Sequence, residues 1–260
     1  MKRLATIALA LLAVTSAADS RKPPKGITLP RGCRDRGCVR ERVVSASSTG
    51  PTCSQSIQCA VTAGDKSGNW WALQSDGMMA TGSSLTMTAA GSPGVSPLTF
   101  NGSNQKYTSG TVAYPTGSFS FVMALNVDSS TSATMEALSK WEGATLSYTL
   151  EIAGGVTPKF YVVAAGGSTG RADGTDISKG SWVCLAGMYT TGTGDVTLRE
   201  YGVGNFGATA TGGGVAAQTA AHRVAAWSGG NFFFGQSRGA FFTEKVLSDA
   251  DVDRICAGAL

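Results

Sequence analysis

The sequence SFSFVMALNV, residues 118–127, decides the fold. Apolar side chains occupy every second position of this stretch, at Phe119, Phe121, Met123, Leu125 and Val127. A period of two places these side chains on one face of an extended chain. The stretch therefore predicts a β-strand with one face buried in a core.

A second stretch, WVCLAGMY at residues 182–189, is apolar on both of its faces. Apolar residues on both sides are typical of an inner strand packed between layers, and they place Trp182 in the core. The same alternation predicts strands at 148–152 and 160–164. Shorter strands are expected at 69–75, 84–88, 97–101, 105–109, 195–202, 231–235 and 239–243. The Gly-, Ala- and Thr-rich stretch 204–219 is either a long loop or a strand of small residues.

The composition agrees with an all-β protein. The chain has 260 residues, of which 35 are glycine, and only 15% are charged. Glycine shows no three-residue period, which excludes collagen, and few charges argue against coiled coils. Only the C-terminus looks helical, because Ser248 stands three residues before Asp251 in a capping arrangement. We predict a two-sheet antiparallel jelly-roll sandwich with a short C-terminal helix.

The N-terminus resembles a secretory signal. Lys2 and Arg3 precede an apolar run at 4–14, and small residues follow at 16–18. The alternative is a buried N-terminal helix. No apolar run reaches the roughly 18 residues that would span a membrane. We expect residues 1–18 to be a signal peptide and the protein to be secreted or periplasmic.

The six cysteines all follow this segment. An even number in an oxidising compartment suggests three disulfides, although six cysteines allow 15 pairings. The simplest pairing joins near neighbours and leaves the two distant cysteines for each other. It would give Cys33–Cys38, Cys53–Cys59 and Cys184–Cys256. Zinc is the rival interpretation, but no C-x-x-C spacing occurs.

Beyond the signal, the sequence predicts a basic arm at residues 19–60 and the jelly-roll domain at residues 61–260. Within the arm, residues 20–42 hold eight Lys or Arg against two Asp or Glu, a net charge of +6. Such a segment is either a solvated arm or a contact for an anionic surface. It contains no aromatic residue, so stacking on nucleic acid is unsupported and no specific nucleic-acid partner is predicted.

The order of motifs resembles the laminin-G-like, concanavalin A-like lectin and glucanase family. LTFNGS at 98–103, the strands at 118–125 and 182–189, FFG at 233–235 and the closing segment 241–252 each resemble a family element. The resemblance covers about residues 97–256. It implies a binding scaffold for carbohydrate or a surface protein. The family's Gly-x-Ile-Asp element is reduced to Arg238-Gly239-Ala240. Because of this departure, the resemblance does not assign a metal or ligand site to this chain.

No catalytic residue is predicted. The E-x-D-x-x-E pattern of glucanases with this fold is absent, and Glu136, Glu142 and Glu151 lie far apart in the sequence. The sequence GQSRG at 235–239 fits the nucleophile-elbow pattern, but apolar β-like residues follow it, so we interpret it as a hairpin turn. The single histidine, His222, is expected on the surface or in a loop.

Aromatic faces flanked by amides bind sugars, and loops concentrate ligand contacts. On this basis the candidate ligand-binding residues are Trp141, Tyr148, Trp227 and Asn231. The alternative is that these aromatic rings pack the ends of the sandwich.

No cofactor is predicted, with calcium as the open alternative, and the oligomeric state is not determined by the sequence. The aspartates in turn contexts that could contribute to a calcium site are Asp128, Asp173, Asp176 and Asp195.

We therefore expect an exported, non-catalytic binding module that recognises carbohydrate or a cell-surface component. A structural or adhesive envelope protein that acts through protein contacts is the alternative. A divergent glycoside hydrolase or lyase is the third hypothesis.

Overall fold

The structure, a computed structural model, describes residues 55–82, 85–142, 145–216 and 219–260. The predicted signal peptide, most of the basic arm, and Cys33, Cys38 and Cys53 lie outside the described residues. The elements are α1 (Ile57–Ala60), a 3-10 turn (Ala63–Asp65), β1 (Trp70–Leu73), β2 (Met79–Thr81), β3 (Met87–Ala90), β4 (Leu98–Asn101), β5 (Lys106–Thr111), β6 (Phe119–Val127), β7 (Met135–Glu142), β8 (Thr145–Ala153), β9 (Thr157–Val163), β10 (Thr169–Asp173), β11 (Trp182–Thr190), β12 (Asp195–Glu200), β13 (Gly204–Thr209), β14 (Ala221–Val224), β15 (Phe234–Thr243) and α2 (Asp249–Ala259).

The strands form two antiparallel sheets, as the sequence predicts. The eight-stranded sheet has the order β13-β12-β11-β6-β15-β1-β2, with β4 also pairing with β15. The seven-stranded sheet has the order β10-β9-β8-β7-β14-β5-β3. Strands distant in the chain are neighbours, and the chain crosses repeatedly between sheets. The fold is a jelly-roll sandwich.

The main core lies between the two sheets and confirms the predicted inward face of residues 118–127. Phe119 and Phe121 are fully buried there. The ring centroid of Phe119 lies 4.9 Å from that of Tyr148, and the centroid of Phe121 lies 5.1 Å from that of Phe160. Tyr148 and Phe160 belong to the facing sheet, so these aromatic contacts hold the two layers together.

A second core lies on the outer face of the eight-stranded sheet, where α2 covers β6 and β11. Val122 and Cys184 belong to this cluster, together with Val252 and Ile255 of the helix. The Ser248 hydroxyl caps α2 by accepting a hydrogen bond from the Asp251 amide, as expected. This layer explains why residues 182–189 are apolar on both faces.

A disulfide joins Cys184 of β11 to Cys256 of α2, with 5.6 Å between their Cα atoms. The bond attaches the C-terminal helix to an inner strand, which agrees with the pairing predicted from the sequence. Cys59 is disulfide-bonded as well.

The structure corrects three local expectations. β15 runs without interruption through residues 235–239, so this stretch is a strand with a bulge after Ser237 and not a hairpin turn. Trp182 is not in the core, because it points outward beside Arg238, whose guanidinium lies 4.1 Å from the ring centroid. Ile57 is fully buried in the second core, so the folded unit begins before residue 61.

The described helices are short, and none of them is long and apolar enough to cross a membrane.

Replacing Cys184 and Cys256 together with alanine should lower the free energy of unfolding by about 2–5 kcal/mol, because the bond closes a long loop. The loop is long because the two cysteines are 72 positions apart. Chemical denaturation and limited proteolysis of the C-terminus would measure the loss. The single Cys256→Ala variant should lose as much as the double variant. Unchanged stability in both would show that helix packing alone holds α2.

Candidate functional site

The outer face of the seven-stranded sheet carries polar side chains in two rows. In the first row, Ser139, Thr149, Tyr161 and Arg171 are paired across four adjacent strands. In the second row the paired residues are Glu136, Glu151, Lys159 and Asp173. We call these eight residues the polar face. Their alternation with buried residues such as Leu150 and Phe160 is what orients them outward.

Two tryptophans lie at one end of this face. Trp141 is the penultimate residue of β7, and Trp227 follows β14, with 4.3 Å between their ring centroids and an angle of 44° between their planes. Both rings are partly buried. The indole Nε1 of Trp227 is buried and has no hydrogen-bond partner among the described residues. The sequence candidates Trp141 and Trp227 are thus brought together, although they are distant in the chain.

A tight turn at residues 227–231 positions Trp227. The Ser139 hydroxyl donates to the Ala226 carbonyl at 2.7 Å, which holds the start of the turn over the polar face. Gly229 lies against the ring, since a Cβ there would come within 2.6 Å of it. The backbone carbonyl of Asn231 accepts from the Glu136 amide at 2.8 Å. The Asn231 side chain is exposed beside the tryptophan pair.

Arg223 supports the strand that carries Trp141. Its guanidinium donates to the Trp141 carbonyl and to the Glu142 carboxylate. Arg223 is nearly buried, and Glu142 is more than half exposed. A charged group held by both a carbonyl and a carboxylate fixes the end of β7, and with it the position of the Trp141 ring.

Tyr148 is not a surface ligand-binding residue. It is fully buried between the sheets, because the alternation of β8 directs it inward with Leu150. Its hydroxyl lies 2.5 Å from Nδ1 of His222. The contact with histidine satisfies the hydroxyl group of this buried phenol.

His222 is likewise not a surface residue. It is fully buried in β14, with its ring 5.1 Å from that of Phe242. Burial lowers the pKa of His222 to about 3, and the charge of neighbouring Lys140 adds to the effect. The imidazole is therefore neutral at physiological pH and contributes to packing, with no access to a substrate.

Lys140 is buried beside His222, its partner in the β7–β14 register. Burial lowers the pKa of Lys140 to about 8. Near pH 7 the Lys140 amine is still mostly charged and the His222 imidazole is neutral, so the interior holds one charged group instead of two, at a lower desolvation cost.

The structure brings together two carboxylates that the sequence separates. Glu136 and Glu151 are directly paired across β7 and β8. Glu136 is fully buried, accepts from the Thr149 hydroxyl, and has a second oxygen without a hydrogen-bond partner among the described residues. Burial raises the pKa of Glu136 to about 8, with the Glu151 charge as a further cause. Because Glu136 is not accessible, the pair does not present two carboxylates to a glycosidic bond.

The exposed part of the polar face is occupied by Tyr161 and its neighbours. The Tyr161 hydroxyl donates to Glu151 at 3.3 Å, and the Arg171 guanidinium lies 5.9 Å from the Tyr161 ring centroid. Arg171 also forms a salt bridge with Asp173 at 2.7 Å. The face therefore offers an aromatic ring, a guanidinium and carboxylates within a few strand spacings of each other.

The described residues contain no group of three or more His, Cys, Asp or Glu that could hold a metal ion. The aspartates considered for calcium form local contacts with other side chains, namely Asp128 with Ser130, Asp173 with Arg171, Asp176 with Thr157 and Asp195 with Thr193. Calcium stays the open alternative that the sequence left beside the prediction of no cofactor.

No protein-family model matches the sequence, and no curated protein matches it at a significant level. Solved structures show the same fold at low identity. The binding domain of botulinum neurotoxin serotype C1 has a TM-score of 0.57 and 11% identity, over 74% of this chain and 52% of that one. The binding domain of botulinum neurotoxin DC in complex with SialylT has a TM-score of 0.56 and 13% identity, over the same shares.

The chain thus spans about half the length of these binding domains. A third similar structure is domain 4 of AbnA, a GH43 extracellular arabinanase from Geobacillus stearothermophilus, in complex with arabinotriose. Its TM-score is 0.48 at 15% identity, over 66% of this chain and 81% of that one.

The Glu136→Gln variant should gain stability relative to the wild type as the pH rises. The pKa of Glu136 is about 8 in the folded chain against an ordinary value of 4.5. Between these values only the folded state holds the proton, so the wild type loses stability as the pH rises through this range. Glutamine does not ionise and avoids the loss, which should reach a few kcal/mol near pH 8.

Urea unfolding of both proteins at several pH values between about 4 and 9 would measure the difference. The difference isolates Glu136 from His222, whose lowered pKa acts in the opposite direction below pH 6.5. Glu142→Gln, at an exposed carboxylate, is the matched control and should show no comparable gain. A difference that stays constant with pH would contradict the prediction.

Proposed function

We propose that this protein is an exported, non-catalytic module that binds carbohydrate on the outer face of the seven-stranded sheet. The observation that carries the proposal is the contact between Trp141 and Trp227 at the edge of the polar face. Partly exposed indole rings beside exposed polar groups are the combination that recognises the apolar faces and the hydroxyls of sugars.

The polar groups of this site are held in place before any ligand arrives. Backbone and side-chain contacts fix the turn at 227–231, and Arg223 fixes the end of β7. A ligand that binds a fixed site loses less free energy to ordering the protein. Nε1 of Trp227 is buried without a partner among the described residues, and an unpaired buried donor is costly, so it calls for an explanation such as a functional role.

Export is part of the same proposal. The Cys184–Cys256 disulfide is of a kind that forms and persists in oxidising compartments. The predicted signal at residues 1–18 would direct the chain there. The similar structures are binding domains, which supports a binding role as the hypothesis to test first.

The test is a glycan-array screen of the full chain, with and without calcium and with a chelator. Trp141→Ala and Trp227→Ala should each weaken binding by about tenfold or more, because each removes an aromatic contact surface. Trp70→Ala is the matched control, since Trp70 is a partly buried tryptophan under Lys66 on the other sheet. It should leave binding unchanged.

Loss of binding in the chelator would indicate a calcium site that the described residues do not reveal. Absence of binding to every glycan, from protein shown to be folded and disulfide-bonded, would contradict the carbohydrate proposal. The structural or adhesive role through protein contacts would then become the hypothesis to pursue. Release of reducing ends from a bound glycan would instead favour the glycoside hydrolase or lyase hypothesis.

A further inference from the structure

A row of uncharged polar side chains crosses the outer face of the eight-stranded sheet, away from the residues covered by α2. Gln236 is paired with Thr99 on one side and with Asn126 on the other, and Asn126 is paired with Trp182. Paired residues share a face, and strands are about 4.8 Å apart, so the four side chains span about 14 Å. Two of the four side chains, those of Asn126 and Gln236, are amides, and we name the row of four residues after them the amide row.

The amide row borders a cavity of about 270 Å³ at the end of the sheet. Three residues of the row, Thr99, Asn126 and Gln236, line it, and Asp128 lines it as well. Apolar contact surface comes from the partly buried Phe234, since the side chains of Phe100 and Val127 are fully buried in the core beneath the cavity. The cavity therefore combines an aromatic surface with polar walls, as small-molecule sites do.

Gly235 makes the close approach of β15 and β6 at this cavity possible. Its φ is +149°, and a Cβ at this position would lie 2.2 Å from the carbonyl oxygen of Asn126. The Gly180 amide in turn donates to the Val127 carbonyl at 2.8 Å, which fixes the Gly180 segment against β6 at the cavity. These backbone contacts hold the strands and the Gly180 segment in place around the cavity.

Several polar atoms of the cavity have unused hydrogen-bonding capacity. The Gln236 side chain makes no hydrogen bond with the described residues, and it is only partly buried. The Asn126 amide nitrogen donates to the Gly180 carbonyl at 3.1 Å, which leaves its oxygen as an acceptor. Asp128 accepts from the Ser130 amide and hydroxyl through Oδ1 alone. Its pKa is held below the usual range by these two bonds, so it stays ionised.

This set of groups selects a neutral ligand rich in hydroxyl groups. No Lys or Arg of the described part of the chain lines the cavity, and the Asp128 carboxylate disfavours phosphate, sulfate and acidic sugars. An amide offers both a donor and an acceptor, which matches a pair of neighbouring hydroxyls. The volume is below the range of about 300–1,000 Å³ for drug-sized ligands, which suits a single sugar ring.

We infer that the cavity beside the amide row is a second binding site, which holds one sugar residue of a neutral glycan. It uses the sheet opposite the tryptophan pair and does not rest on the function proposed for Trp141 and Trp227. With both sites occupied, one molecule would connect two glycan chains or bind one surface at two points. Such divalent attachment raises the apparent affinity without new contacts.

The test is a ¹H–¹⁵N NMR titration of the full chain with neutral glucose, galactose, mannose and arabinose trisaccharides. Binding at the cavity should shift the side-chain amide signals of Asn126 and Gln236. The variants Asn126→Ala and Gln236→Ala should each weaken this binding about five- to tenfold, as expected for the loss of one or two hydrogen bonds. Circular dichroism and urea unfolding would verify that both variants are folded.

Two control variants complete the design. Gln105→Ala removes a partly exposed amide outside the cavity and should leave the affinity unchanged. Trp227→Ala should leave the Asn126 and Gln236 shifts in place, which would separate the second site from the first. Shifts confined to the tryptophan pair would overturn the inference and leave the proposed function standing. No shift at Asn126 and Gln236 with any of the trisaccharides would also overturn it.

Discussion

The burial of β6 and β11 on both of their faces is the constraint on which the rest of the structure depends. Their inner side chains, such as Phe121, pack against the seven-stranded sheet. Their outer side chains, such as Val122 and Cys184, pack under α2 and Ile57. The eight-stranded sheet is therefore the middle layer of a three-layer arrangement, and the disulfide to Cys256 keeps the third layer attached.

This layering decides where a ligand can bind. The helix covers the apolar part of the eight-stranded sheet around Val122 and Ala124 and leaves Asn126 and Gln236 beyond it. The outer face of the seven-stranded sheet carries polar residues, of which Arg171 and Asp173 are exposed to water and Glu136 is buried, together with the tryptophan pair at its edge. The two proposed binding surfaces are thus the polar outer regions of a sandwich whose apolar area is used for folding.

Much of the fold could be predicted because its signals are local. Alternation predicts the strand at 118–127, and the Ser248–Asp251 spacing predicts the cap of α2. The site was harder to predict. Proximity to loops selects Trp141 and Trp227, which lie in contact, whereas Tyr148, a candidate only as an available aromatic residue, is buried. An aromatic residue at a strand end gives the same sequence signal whether it faces the core or the solvent, since burial depends on the facing sheet.

The sequence by itself determined the all-β class, the apolar faces of the inner strands and the terminal helix, because each follows from side chains a few positions apart. Only the tertiary structure decided which residues are neighbours across the strands and between the sheets. It paired Glu136 with Glu151, enclosed His222 and Lys140 in the interior, and made 235–239 part of a long strand. These outcomes depend on register between distant strands, where a shift of one residue moves every side chain to the other face.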